Sequence, residues 1–502
     1  IKEVGEAVAK DFEENKAIGD IASGGGIYID SARINKIKGN FVNNSAEGIT
    51  AASGGAIYIS DYYDSYNHHA IGNIEILDVE QFISNSAISE QGGASGGAIF
   101  NNGQLDDLET TFVNNYVSGY TAAYGGAIYN TKTIGAEDGG IINSSFYNNY
   151  AKSENGIAQG GAIYSTKDLN IIAKEGGQSV FSGNYTESKD VQTPNAIYLG
   201  GVSGVQPEVI TSINTQTVTT ERIEQIIVPD LTLNAVSNGT ILFDDAIDGD
   251  LNSTVTTTTT GDLVADRYNT YYSESIEEFL EKIKNDPPYW ADENWGNLSD
   301  EEILESAYEH GFLYMTNEQS TTESSNNTGY SLNITGDETG KVILNNDVTA
   351  HSYDDEGNVT EQAPVNISLE NTNLYLGARD DIFDGNNLNL KSGFMSMVNN
   401  SAGISALNNL TVSGDVNFAA DVDLANQEMD RFTAADYGEH TGNINVVGMN
   451  ILSDAPEGRD TTEIFFAETG LMDNVVNGTG ELPDSNYQVA LTPIYKYNVG
   501  YE

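Results

Sequence analysis

Two short units alternate through the first 200 residues, and their recurrence constrains the fold more than any other feature of the chain. One unit is a glycine pair leading into an apolar step: Gly24-Gly25-Gly26-Ile27-Tyr28, Gly54-Gly55-Ala56-Ile57-Tyr58, Gly96-Gly97-Ala98-Ile99-Phe100, Gly125-Gly126-Ala127-Ile128-Tyr129 and Gly160-Gly161-Ala162-Ile163-Tyr164. A worn copy is Asn195-Ala196-Ile197-Tyr198. The other unit is Phe-x-x-Asn, present as Phe12/Asn15, Phe41/Asn44, Phe82/Asn85, Phe112/Asn115, Phe146/Asn149 and Phe181/Asn184. From each Phe to the next glycine-pair position is 12 to 14 residues, whereas the return to the next Phe takes 16 to 28. One half of the repeat is nearly fixed and the other absorbs insertions, as in a solenoid whose strands stay in register while loops on one side vary.

In a parallel β-solenoid successive coils lie about 4.8 Å apart, so equivalent side chains stack. Ile27, Ile57, Ile99, Ile128 and Ile163 then form one internal column. Phe12, Phe41, Phe82, Phe112, Phe146 and Phe181 form a second. Asn15, Asn44, Asn85, Asn115, Asn149 and Asn184 form a ladder that satisfies turn backbone groups. All are scaffold by this reading. Gly24-Gly25-Gly26 is no dinucleotide loop, because no helix follows and the motif recurs.

Alternating Gly-Gly-Ala-Ile and Phe-x-x-Asn units resemble the polymorphic outer-membrane-protein repeat of bacterial autotransporter passenger domains, over roughly residues 10–200. The resemblance implies a right-handed parallel β-helix, extracellular or on the bacterial cell surface, tethered to the outer membrane in the full-length protein and commonly adhesive. It also implies a C-terminal translocator that this sequence lacks, so the expectation is the passenger portion of a longer protein. A sequence without cysteine fits passage across a membrane in a largely unfolded state.

Acidic residues number 75 against 21 basic ones, a net charge of −54 that disfavours nucleic acid and anionic membrane surfaces as partners. The 28 Tyr and 16 Phe supply a core that disordered chains lack. The absence of Cys excludes disulfides, thiol nucleophiles and Cys-zinc sites. No apolar run reaches the ~18–20 residues of a membrane span, so direct membrane insertion is not expected.

Beyond Leu199 the spacing changes but strand-and-turn texture persists. Gly239–Ile247 resembles Gly340–Val348, and alternating segments follow at Leu374-Tyr375-Leu376, Leu388-Asn389-Leu390, Leu410-Thr411-Val412 and Val416-Asn417-Phe418. The expected division is a regular β-helix over 1–200, continuations over 201–267 and 317–502, and a helical hairpin inserted at 268–316. Ile276, Phe279, Leu280 and Ile283 fall at helical spacing, and Ser299 with Glu302 forms a capping box before Ile303, Leu304, Ala307 and Tyr308. The hairpin either packs its apolar face on the β-helix or presents Trp290 and Trp295 to a partner. The Thr254–Thr260 tract reads as a solvated β-edge or loop, and residues 1–10 as a short amphipathic cap with Val4, Ala7 and Val8 on one face.

A variable loop carrying Tyr62, Tyr63, Tyr66, His68 and His69 is a candidate recognition loop; adjacent histidines on extended chain point apart, against paired metal ligation. No cofactor or metal is expected, with Ca²⁺ the one cation for which Asp248-Gly249-Asp250 and Asp380-Asp381…Asp384-Gly385 offer oxygen ligands. No catalytic residues are assigned. The six arginines (Arg33, Arg222, Arg267, Arg379, Arg431, Arg459) share no repeat position with an acidic cluster, as a polysaccharide lyase would require. The reading is therefore a non-enzymatic surface adhesin that contacts a host, matrix or neighbouring-cell protein or glycan. The alternatives are a self-associating surface-layer or filament component and, less favoured, a polysaccharide-degrading enzyme.

Overall fold

The computed structural model describes residues 3–30, 32–62, 70–135, 139–291, 294–325, 327–354, 357–453 and 475–477. The chain is mostly β-strand and divides into two compact units. The first comprises Ile1–Gly201, Val228–Leu251 and Thr328–Glu502, and the second Val202–Ile227 and Asn252–Asn327.

In the first unit almost every sheet pairing is parallel and joins a strand to its equivalent in the next repeat. The phenylalanine strands pair in register from Phe12 to Phe41, Phe82, Phe112, Phe146, Phe181 and Phe243. Their rings stack with centroids 4.2–5.1 Å apart. The isoleucine strands pair likewise through Ile27, Ile57, Ile99, Ile128, Ile163, Ile197 and Ile247. From Phe41 and Ile57 onward these residues are buried; Phe12 and Ile27, in the first repeat, are half-buried. At ~1.5–3 kcal/mol for each fully buried large apolar side chain, every buried rung of the two columns adds to the stability of this unit.

The asparagine ladder lies beside the phenylalanines. Each Asn from Asn15 to Asn149 donates both its backbone N–H and its side-chain Nδ2 to the Oδ1 of the next, at 2.8–3.1 Å. The second Nδ2 hydrogen of Asn44, Asn85, Asn115, Asn149 and Asn184 goes to the carbonyl of Phe12, Phe41, Phe82, Phe112 and Phe146, respectively. Before several of these Asn the chain turns through positive φ: Asn43 at 53°, Asn114 at 54°, Asn148 at 54°. Short polar side chains tolerate that conformation best. Gly125 also has positive φ (66°), and a Cβ on Gly126 would stand 2.0 Å from the Gly161 carbonyl, so the glycine pair is a close approach between adjacent repeats.

The similar segments around Gly239 and Gly340 are direct neighbours, with Thr240–Phe243 parallel to Lys341–Leu344. Pairing continues through Thr372–Leu376, Gly393–Ser396, Val416–Asp423 and Ile444–Ser453. A further parallel sheet joins Leu169–Ala173, Leu231–Ala235, Ser331–Gly336, Asn366–Glu370, Asn387–Leu390, Ile404–Val412 and Arg431–Tyr437. The expected amphipathic cap is instead a strand, Glu3–Glu13, in parallel register with Arg33–Val42; Val8 is left exposed. Its backbone finds a ladder partner, which outweighs the helical spacing of three apolar residues.

The second unit is wider than the hairpin expected over 268–316. Val202–Val205, Val209–Ile213, Thr217–Ile227, Ser253–Ala265 and Leu313–Ser324 form an antiparallel sheet. The threonine tract is an interior strand of it, paired to Thr217–Ile227 on one side and Leu313–Ser324 on the other. Helices α1 (Ile276–Asn285) and α2 (Asp300–Glu309) begin at Ser275 and at the Ser299/Glu302 capping box. Their apolar faces meet Ile213, Val218, Leu263 and Leu313 of this sheet, so the hairpin packs within its own unit. Neither helix is long and apolar enough to cross a membrane.

Candidate functional site

Side chains alternate along a strand, so the residue after each inward Ile of the Gly-Gly-Ala-Ile unit faces outward. Those residues are Tyr28, Tyr58, Phe100, Tyr129, Tyr164 and Tyr198, stacked at 5.1, 4.7, 4.8, 5.2 and 5.8 Å with interplanar angles of 12° or less. Tyr28 is exposed, Tyr58 through Tyr164 are half-buried, and Tyr198 is buried. Tyr124 leans on the column, 4.9 Å from Tyr164. A shorter outward column, Tyr116–Tyr150–Tyr185, runs on the neighbouring sheet at 5.0 and 5.1 Å.

Burial pushes the phenols of Tyr58, Tyr129 and Tyr164 upward, most for Tyr164. Burial, then the neighbouring Tyr116 and Tyr185, pushes Tyr150 up to about 12. These hydroxyls therefore stay protonated at neutral pH. Those of Tyr28, Tyr58 and Tyr129 make no hydrogen bond to any described residue.

The column ends where Tyr198 gives way, in register, to Asp248. Asp248 accepts from Thr349 Oγ1 at 2.9 Å and from the Tyr353 hydroxyl at 2.6 Å, and His351 Nδ1 lies 3.0 Å from it. Asp250 accepts from the Tyr198 hydroxyl and from Gly201 N. Burial lifts Asp250 above the usual carboxylate range. Burial alone would lower His351, but its contact with Asp248 holds it above its ordinary value. The two aspartates weighed as calcium ligands thus bind neighbouring O–H and N–H groups. The other tract disperses: Asp380 accepts from Asn399 Nδ2, Asp381 pairs with Arg379, and Asp384 accepts from Ala406 N.

Of the recognition loop, Tyr62 closes the strand Ile57–Tyr62, while Tyr63, Tyr66, His68 and His69 lie outside the described residues. Trp295 is buried and Trp290 half-buried in the core of the second unit, edge-to-face at 5.1 Å. Trp290 also stacks on His310 at 4.1 Å. Both indole N–H groups are buried and find no hydrogen-bond partner among the described residues. Tyr289, next to Trp290, is 96 % exposed and is the protruding aromatic of this segment. The outward aromatic column is the feature that sequence reasoning missed, although each of its members stands inside a Gly-Gly-Ala-Ile unit or its worn copy. Compared with family models, with curated proteins and with solved structures, the chain matches none.

Proposed function

We propose that this chain is a right-handed parallel β-helix of the autotransporter-passenger type, acting at a bacterial surface as a non-catalytic adhesin. The parallel, in-register pairing of equivalent repeat strands supports the architecture. The observation that carries the function is the outward column of half-buried aromatic rings, on a protein whose net charge is −54. Aromatic side chains contribute large contact area at small entropic cost, which suits recognition. A direct test is binding of the fluorescently labelled chain to host cells and extracellular matrix. The expected result is saturable binding that Tyr58→Ser with Tyr129→Ser reduces; binding unaffected by these substitutions would overturn the role given to the column.

A second reading is supported by a different feature. The strand Lys16–Ser23 pairs on one side only among the described residues, and Ile18 and Ile21 on it are 74 % and 69 % exposed. Two exposed isoleucines on one strand favour apolar association between copies, as in a surface layer or filament. Concentration-dependent assembly abolished by Ile18→Lys with Ile21→Lys would favour this reading.

A further inference from the structure

The outward column offers its ligand an unusual surface. From Tyr58 through Tyr164 each ring face is covered by a neighbouring ring, so sugars or side chains cannot stack between rungs; what remains accessible there is a row of ring edges and phenol oxygens at steps of 4.7–5.2 Å. The flanks are hydroxyl- and amide-bearing. Ser95, Tyr124 and Gln159 follow one another in register along one side. Asn102 and Thr131, two residues beyond Phe100 and Tyr129, lie on the other side, joined by a 2.7 Å hydrogen bond.

None of these positions carries a charge from the Tyr58 rung through the Tyr164 rung, although the chain holds 75 acidic residues. Asp30 stands beside Tyr28 at one end, and Asp248 with Asp250 close the other. The hydroxyl groups differ in the same way: those of Tyr198 and Tyr353 are spent on aspartates, whereas those of Tyr28, Tyr58 and Tyr129 make no hydrogen bond among the described residues.

We infer that the column is a binding track for an uncharged polysaccharide, laid along the rungs and hydrogen-bonded by the hydroxyls of Tyr28, Tyr58 and Tyr129. Three properties select that ligand. A neutral strip bounded by carboxylates excludes anionic glycans, whose desolvation and repulsion go uncompensated. Hydroxyl and amide groups that both donate and accept match a polyol better than an apolar peptide face. A surface that repeats at a fixed step suits a ligand that itself repeats, which a folded protein surface does not. The inference rests on the adhesin reading and supplies its ligand class.

The test is affinity electrophoresis of the full chain through gels containing dextran, galactomannan or xyloglucan, with polygalacturonate as the anionic control. The variant is Tyr28→Phe, Tyr58→Phe and Tyr129→Phe together. Phe100 already occupies one rung, so the stack accepts a ring without a hydroxyl. The expected result is retardation by at least one uncharged polysaccharide and none by polygalacturonate. The variant should bind about tenfold or more weakly at an unchanged melting temperature, as loss of several hydrogen bonds requires. Equal retardation of the variant, or no retardation of the native chain, would overturn the inference. Column-dependent binding to cells without polysaccharide binding would point to a protein partner, leaving the adhesin reading intact while this inference falls. Self-assembly with neither kind of binding would remove both.

Discussion

Asn184 places its backbone N–H and its side-chain amide on a single carboxylate oxygen of Asp245, both at 2.8 Å. Gly183 N donates to the other oxygen at 3.0 Å. Asp245 thus occupies the position that an Asn fills in every earlier repeat. An ionised carboxylate accepts but cannot donate, so the ladder that begins at Asn15 stops here. Burial raises the Asp245 pKa, against the three donors that lower it.

Removing a middle rung tests the ladder. In Asn115→Ala, the buried N–H and amide of Asn85 lose their acceptor and the Phe82 carbonyl loses its donor. At ~1–3 kcal/mol for each orphaned buried group, the loss should reach about 3–5 kcal/mol. Urea denaturation monitored by far-ultraviolet circular dichroism measures it; a loss under about 1 kcal/mol would mean that water replaces the amide freely.

The glycine pair makes a sharper prediction. A Cβ on Gly126 would lie 2.0 Å from the Gly161 carbonyl and 2.6 Å from the backbone of Tyr150. Gly126→Ala should therefore prevent folding or cost more than ~3 kcal/mol. Gly204→Ala is the control, since nothing lies within 4 Å of the place its added methyl group would take. Thermal melting of the two variants side by side distinguishes packing from a general intolerance of substitution.

Two buried aspartates, Asp430 and Asp380, predict a pH response. Asp421 accepts from Asn399 N, Ser401 N and Asn450 Nδ2, and Asp430 from Gly403 N and Asp421 N, while Asp380 holds the Asn399 side chain. Burial, and then the neighbouring carboxylates, push Asp430 up to about 8 and Asp380 to about 7. Both values lie above the unfolded value of ~3.9. The folded chain therefore keeps protons that the unfolded chain releases above about pH 4, and this contribution to stability is lost as pH rises through about 8. Stability should fall on the order of 4 kcal/mol between about pH 6 and 9, most of it below about pH 8. Asp430→Asn should flatten that slope, as denaturant midpoints across the range would show. A slope unchanged in the variant would place the titration elsewhere.

Both tryptophans of the chain lie in the second unit, so indole fluorescence reports on that unit alone. Phe279 is fully buried there, and Phe279→Ala should destabilise the unit by ~3–5 kcal/mol. The fluorescence transition should shift to lower denaturant while the transition of the parallel sheets, followed by circular dichroism, stays in place. Transitions that moved together would show a single cooperative system.

The inward columns were legible because the same residue recurs at nearly fixed spacing, and Phe112 or Ile128 declares its role through its copies. The outward Tyr58 and Tyr129 sit in the same motifs but were absorbed into the scaffold, since a motif does not announce which of two adjacent residues faces solvent. Alternation alone could have separated them. The strand through Thr254–Thr260 was not legible, because its partners at Thr217–Ile227 and Leu313–Ser324 are remote in sequence and leave no local pattern. The first helix was legible from the helical spacing of Ile276, Phe279, Leu280 and Ile283 and the second from its capping box, whereas the sheet on which they pack was not. At Asp245, the change from Asn to Asp after Phe243 was the available signal for the end of the ladder.

The asparagine side chains also have an electrical consequence. Every amide from Asn15 to Asn184 points its donor end the same way, so their dipoles add in series as peptide dipoles do in a helix. The positive pole of that series falls at Asn184, where it meets the negative carboxylate of Asp245; the negative pole falls at the Asn15 oxygen. The two ends of the stack are consequently not interchangeable: one carries its counter-charge within the protein, and the other favours whatever cation or N–H group approaches it.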